Sequence, residues 1–194
     1  MADTNETVIQ QVFHDEGKNI FIKMLFKNGV PHGESITSNK EGEVIQKVNF
    51  IEGKVHGNFL LFDKKKMKAR MHYKEDKLDG RAEYFDDQEK VIGIENFKNG
   101  KKHGLTEWKD NNGNLLYKEN YHEGLLHGEK EEFYPSGKLK RKTHYYRDKI
   151  IGEPEEFKET EKGTGESVEK KSPLQFNVIV NTAKKFLLAK LGFE

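Results

Sequence analysis

Residues 97–104 read Phe97-Lys98-Asn99-Gly100-Lys101-Lys102-His103-Gly104, and the pattern returns along the chain. His-Gly stands at His32-Gly33, His56-Gly57, His103-Gly104 and His127-Gly128. Two degenerate pairs, Asp79-Gly80 and Ile151-Gly152, fill the series. The closing glycines Gly33, Gly57, Gly80, Gly104, Gly128 and Gly152 are spaced 24, 23, 24, 24 and 24 residues apart. Self-similarity at a fixed period of roughly 20–50 residues marks a repeat architecture.

Other positions keep the same register. With each closing glycine as position 0, position −7 is Phe26, Phe50, Tyr73, Phe97, Tyr121 and Tyr145, all aromatic. Position −13 is Ile20, Val44, Met67, Val91, Leu115 and Leu139, all apolar. Position −4 is Gly29, Gly53, Asp76, Gly100, Gly124 and Asp148. Position +5 is Ser38, Phe62, Phe85, Lys109, Phe133 and Phe157, with Trp108 one place earlier read as the fourth repeat's substitute. Even separations share one face of a strand, so −13 and −7 predict a strand with an apolar residue near each end of one face. The middle of that face varies, from Ile22 and Met24 to Glu95 and Glu119. Positions −4 to 0 read as a tight turn, where glycine supplies a positive φ. A second strand follows, as in Glu129–Tyr134, and a second turn such as Pro135-Ser136-Gly137 or Asn111-Asn112-Gly113 closes the unit. Each repeat is then a β-hairpin paired edge to edge with the next. The expected fold is all-β: an elongated single sheet of about six hairpins, its columns about 9.5 Å apart and its +5 aromatics packed with the −7 column.

The motif aromatic–x–x–Gly–x–x–His–Gly, with phrases such as Phe133-Tyr134-Pro135-Ser136-Gly137-Lys138-Leu139, resembles the MORN repeat. It is more similar still to the bacterial variant found in YwqK-family antitoxins. The resemblance runs over residues 18–163. It implies a non-enzymatic, protein-binding repeat module whose partner is a toxin or effector that it neutralises or chaperones.

Composition narrows the alternatives. The chain has 194 residues, 34 basic against 33 acidic, for a net charge of +1. Such a balance argues against a general nucleic-acid binder. Apolar residues make up 34%, too few for a thick core and suited to a fold with much surface. Aromatics at 11% argue against disorder. Cysteine is absent, which excludes disulfides, thiolate zinc sites and a cysteine nucleophile. No secretory signal or membrane-spanning run is read, so the default compartment is the cytoplasm, with signal-independent export left open.

The domain reading is an N-terminal segment over 1–17, the array over 18–163, a polar linker over 164–172 and a helix over 173–192. Ser172-Pro173-Leu174-Gln175 has capping-box form with proline at the first helical position. Phe176, Ile179, Val180, Ala183, Phe186 and Leu187 follow at helical spacing. From Lys170 to Gly192 there are five lysines, including Lys184 and Lys185, and no acid. This helix has three readings: a cap on the last hairpin, a ligand for a partner's groove, or a weak anchor on an anionic membrane surface.

No catalytic constellation emerges. Ser, His and Asp residues form no triad spacing, and Gly163-Thr164-Gly165 lacks the context of a phosphate loop. The histidine series suggests metal, yet hairpins about 9.5 Å apart cannot share an ion whose ligands sit about 2 Å away. The histidines therefore read as turn-bonding residues, and no metal or cofactor is expected. The oligomeric state is left undetermined.

Overall fold

A computed structural model describes residues 7–14 and 20–159. In chain order the strands are β1 (Thr7–His14), β2 (Ile20–Lys27), β3 (Val30–Pro31), β4 (Gly33–Ser38), β5 (Val44–Ile51) and β6 (Lys54–Asp63). There follow β7 (Lys66–Lys74), β8 (Lys77–Leu78), β9 (Gly80–Phe85), β10 (Val91–Lys98), β11 (Lys101–Lys102) and β12 (Gly104–Lys109). The last are β13 (Leu115–His122), β14 (Leu125–Phe133), β15 (Leu139–Tyr146), β16 (Lys149–Ile150) and β17 (Glu155–Glu156). They form one open antiparallel sheet of 17 strands, and no helix occurs among the described residues. Each long strand pairs with the next in sequence, giving a meander. The two-residue strands β3, β8, β11 and β16 fold back on β2, β7, β10 and β15. The helix expected over 173–192, with Phe176, Ile179, Val180, Lys184, Lys185, Phe186 and Leu187, and the linker over 164–172 lie outside the described residues.

The turns explain the repeated residues. Positions −5 and −4 both have positive φ in all six repeats, as in Asn99 (51°) and Gly100 (81°) or Arg147 (50°) and Asp148 (67°). Two such residues make the hairpin turn whose twist matches the flanking strands. The tight turn therefore begins one residue earlier than the sequence suggests. Successive turns are tied together: Gly100 N–H donates to Leu78 O at 2.7 Å and Gly124 N–H to Lys102 O at 2.8 Å. Where aspartate replaces glycine at −4, the side chain adds a second tie. Asp76 Oδ1 accepts from Val55 N–H at 2.8 Å, and Asp148 Oδ1 from Leu126 N–H at 2.7 Å. The closing glycine lies at an irregularity opposite −8, with φ near 90° in Gly33, Gly57 and Gly104. It also faces the next aromatic, since Gly80 pairs with Phe97, Gly104 with Tyr121 and Gly128 with Tyr145.

One face, here the aromatic face, carries positions −11, −9, −7, +2 and +4. Gly93 pairs with Trp108 and Trp108 with Tyr117, so Phe97 and Tyr121, each four residues on, lie on the same side. The +5 residues do not join them. An odd step from the closing glycine puts them on the opposite face, where Phe85 lies under Arg70 and Phe133 under Lys118. Trp108, at +4, belongs to the aromatic face and is no substitute for a +5 residue. Position −13 also departs from the parity argument. A register shift at −12 sets Leu115 opposite Lys109 and Leu139 opposite Phe133, both +5 residues. One extra residue reverses the alternation, which spacing alone cannot register.

The core is the middle of the aromatic face. In repeats two and three it is apolar: Val48 pairs with Phe59 and Phe59 with Met71, and all three are buried, as are Val55, Ala69 and Ala82. Small residues accommodate large ones. The Trp108 ring lies flat on Gly93, where an added Cβ would stand 2.7 Å from it, and stacks on Tyr84 at 5.0 Å between centroids.

The two ends of the sheet differ. The sixth repeat's second strand is only Glu155–Glu156, because Pro154 stands at +2, the position that pairs with −9 in earlier repeats, and has no N–H to give. At the other end, β1 precedes the first repeat and pairs with β2 over eight residues, from Thr7 opposite Lys27 to His14 opposite Ile20. The 24-residue register does not anticipate this strand, since it carries no His-Gly.

Candidate interaction surface

From the fourth repeat on, the middle of the aromatic face turns polar. Glu95, 3% exposed, accepts from Lys102 at 2.6 Å and from the Tyr84 hydroxyl at 3.0 Å. One repeat later Glu119 accepts from Lys130 at 2.9 Å and from the Tyr121 hydroxyl at 2.9 Å. Lys102 also lies over the Tyr121 ring at 5.0 Å, and Lys130 over Tyr117 at 5.8 Å. Burial pushes the Tyr84 hydroxyl well above the ordinary phenol range, and the charge and hydrogen bond of Glu95 push it further. Tyr117 and Tyr121 are raised by burial first and by Glu119 second. Burial opposes the charge on Lys130, but its hydrogen bond to Glu119 and that carboxylate's charge together hold its pKa above the usual lysine range. Each charge has its counter-charge within the strip, so this network holds the face together and leaves no free acid or base.

Raised tyrosines fix an alkaline limit. Their folded pKa lies above the unfolded value of about 10, so the stability they confer is complete below that pH and is lost as pH rises through the folded value. In an ultraviolet titration of the folded protein, Tyr84, Tyr117 and Tyr121 are expected to stay protonated above about pH 10. Ionisation of all seven tyrosines in one ordinary step would overturn this.

The exposed chemistry lies on the opposite face, along the turn end of repeats four to six. The His103 and His122 rings are 4.9 Å apart, His122 and His127 5.7 Å, and His127 and Tyr146 5.0 Å, each pair tilted by about 50°. His103 and His127 come from position −1, and His122 and Tyr146 from −6 of the following strand, so the two columns interleave. This arrangement fills the gap that separates one −1 histidine from the next. The row borders an open groove of about 490 Å³ lined by Lys101, His122, Glu123, Leu125, His127, Tyr146 and Arg147. Lys98 and Lys149 stand exposed at the same turns. Tyr146, Ile150 and Ile151 are each at least half exposed. The strands hold this surface rigidly: Asn96 and Asn120, at −8, donate side-chain N–H groups to Leu105 O and Glu129 O at 2.6 and 3.1 Å. His103 Nδ1 accepts from Glu123 N–H at 3.5 Å, and Asp79 Oδ2 accepts from Asn99 N–H at 2.9 Å in the corresponding place. The carboxylate thus does the turn-bonding work of histidine in the third repeat. Among the described residues no three His, Asp or Glu side chains gather as a metal site.

The positions singled out from the sequence divide between the faces. Phe26, Phe50, Tyr73, Phe97, Tyr121 and Tyr145 lie on the aromatic face, half-buried or buried, and the six closing glycines lie at the strand irregularities. The turn-end groove was not foreseen. Its signal was position −6, where lysine or isoleucine in the first four repeats gives way to His122 and Tyr146.

A family profile described as MORN repeat variant matches residues 102–123 and 126–145. These two stretches carry Lys102, Glu119, Tyr121 and Lys130 of the polar strip and His122, Glu123 and His127 of the groove. Repeats of this family are non-catalytic and are generally protein- or membrane-binding modules. No curated protein matches the chain. No helix among the described residues is long and apolar enough to cross a membrane.

Proposed function

We propose that this chain is a non-enzymatic protein-binding module whose contact surface is the row His103, His122, His127 and Tyr146 with the groove beside it. The observation that carries the reading is a run of four rings, His122 and Tyr146 exposed and His103 and His127 half-buried, flanked by Lys98, Lys101, Arg147 and Lys149 against the acids Glu123 and Asp148. Aromatic and Arg side chains supply most of the energy of protein interfaces, and a basic rim selects acidic partners. The fitting partner presents acidic side chains around an apolar contact. The resemblance to antitoxins suggests a toxin or effector in that role, held inactive or chaperoned by the array.

His122→Ala combined with Tyr146→Ala tests the surface, since both side chains are exposed and their loss should leave the melting temperature unchanged. Proteins that co-purify with the wild-type chain from its native cell are expected to be lost, or weakened at least tenfold, with the variant. Equal retention by the variant overturns the assignment. The same basic edge also suits an anionic membrane. Co-sedimentation of the full chain with anionic but not neutral vesicles, abolished by Lys98→Glu with Arg147→Glu, would favour that second reading.

A further inference from the structure

The sheet ends in two unlike edges. At the C-terminal edge, β17 has two residues, follows Pro154 and lies among Glu153, Glu155, Glu156 and Glu159. Short length, proline and like charges are the devices by which proteins keep a sheet edge from pairing. The N-terminal edge has none of them. β1 reads Thr7-Val8-Ile9-Gln10-Gln11-Val12-Phe13-His14, with no proline, no glycine and no acid, lysine or arginine. In an antiparallel pair, alternate residues turn their N–H and C=O groups toward the partner and the rest turn them away. β1 pairs with β2 over its whole length, so its other edge offers a ladder of the same extent, and no strand pairs with that edge among the described residues.

The register shows what β1 stands for. Gln10 lies opposite Met24, a −9 residue, as Ser35 lies opposite Val48. β1 thus occupies the place of a second strand in a unit ahead of the first repeat. In every later unit the outer edge of that strand receives an antiparallel neighbour.

We infer that this neighbour is β1 of a second copy, paired antiparallel about a two-fold axis through Gln10. The axis is normal to the sheet, so residues that oppose each other share a face. It sets Gln10 against Gln10, Val8 against Val12, Ile9 against Gln11 and Thr7 against Phe13, and no charged residue meets another. Thr7 against Phe13 is an aromatic–β-branched pair and Val8 against Val12 an apolar one, cross-strand contacts of the kind that stabilise a sheet. The pairing joins two meanders into one continuous sheet, with the aromatic face on the same side in both copies.

Sedimentation velocity over a concentration series tests the inference on the full chain. The wild type is expected at twice the monomer mass of 22.6 kDa. Gln10→Lys and Gln10→Glu should each be monomeric, because each opposes like charges across the axis. Mixed in equal amounts they should recover the dimer, which a folding defect could not produce. The chain has no cysteine, so Gln10→Cys gives a second measurement. Opposed Cα atoms about 4.5–5.5 Å apart lie within disulfide reach, so oxidation should yield a covalent dimer, whereas Ile151→Cys should not. A monomeric wild type, a variant that stays dimeric alone, a mixture that stays monomeric or a Gln10→Cys chain that does not cross-link overturns the proposal.

Discussion

Phe59→Ala is expected to destabilise the protein by about 3–5 kcal/mol, the range for a buried phenylalanine replaced by alanine. The ring is 0% exposed, pairs across to Val48 on one side and Met71 on the other, and lies 5.6 Å from the Tyr73 ring. Removing it deletes buried apolar area and leaves a hole between strands whose hydrogen bonds prevent collapse. Ser35, Ala82 and Thr106 hold the same repeat position, so the loss is not one of backbone conformation. Phe157→Ala provides the comparison. That ring is 38% exposed on the last repeat, and its loss should stay near surface values, about 0.5 kcal/mol. Denaturant unfolding of the two variants decides the matter. Similar values for both would mean that the aromatic face is not the core.

Lys102→Leu is expected to cost about 3–5 kcal/mol, because it strands a carboxylate at the most buried acidic position of the sheet. Glu95 would keep only the Tyr84 hydroxyl. The array itself supplies the rescue. The third repeat has Met71 and Leu78 where the fourth has Glu95 and Lys102. Adding Glu95→Met to Lys102→Leu should therefore restore stability to the wild-type level or above, since well-packed apolar residues commonly replace a buried ion pair without loss. A cycle of the two single variants and the double variant, followed by chemical denaturation, measures the coupling. Additive losses would show that Glu95 and Lys102 act independently.

The residues legible in advance were those whose role is local. Asn99-Gly100 and Glu123-Gly124 can form only a few backbone shapes, so the hairpin turns follow from residue type. Phe97 and Tyr121 recur because every unit after the first places an aromatic opposite the preceding unit's closing glycine. The +5 phenylalanines and Trp108 were read onto the wrong rows because the face they take is set by their step from the closing glycine, odd for +5 and even for Trp108, and the −13 residues because of the bulge at −12. A bulge adds a residue without changing composition or period, and strict alternation then fails beyond it. β1 escaped notice because a single strand without a turn motif leaves no periodic mark.

The amino-acid sequence by itself determined the repeat length, the all-β class, the hairpin turns and the alternation that buries the aromatic column. These rest on φ preferences, glycine at fixed intervals and the two-residue period of a strand, all of which act within one unit. Tertiary structure alone decided which units meet and what their meeting creates. His122 belongs to a different column from His103 and His127, and only the pairing of β13 with β12 and β14 interleaves them into one row with Tyr146. Glu95 and Glu119 look like interruptions of an apolar face until the register brings Lys102, Lys130 and Tyr84 within hydrogen-bond distance. Such contacts join residues of different strands, and their energy depends on distances of a few ångströms that no spacing along the chain specifies.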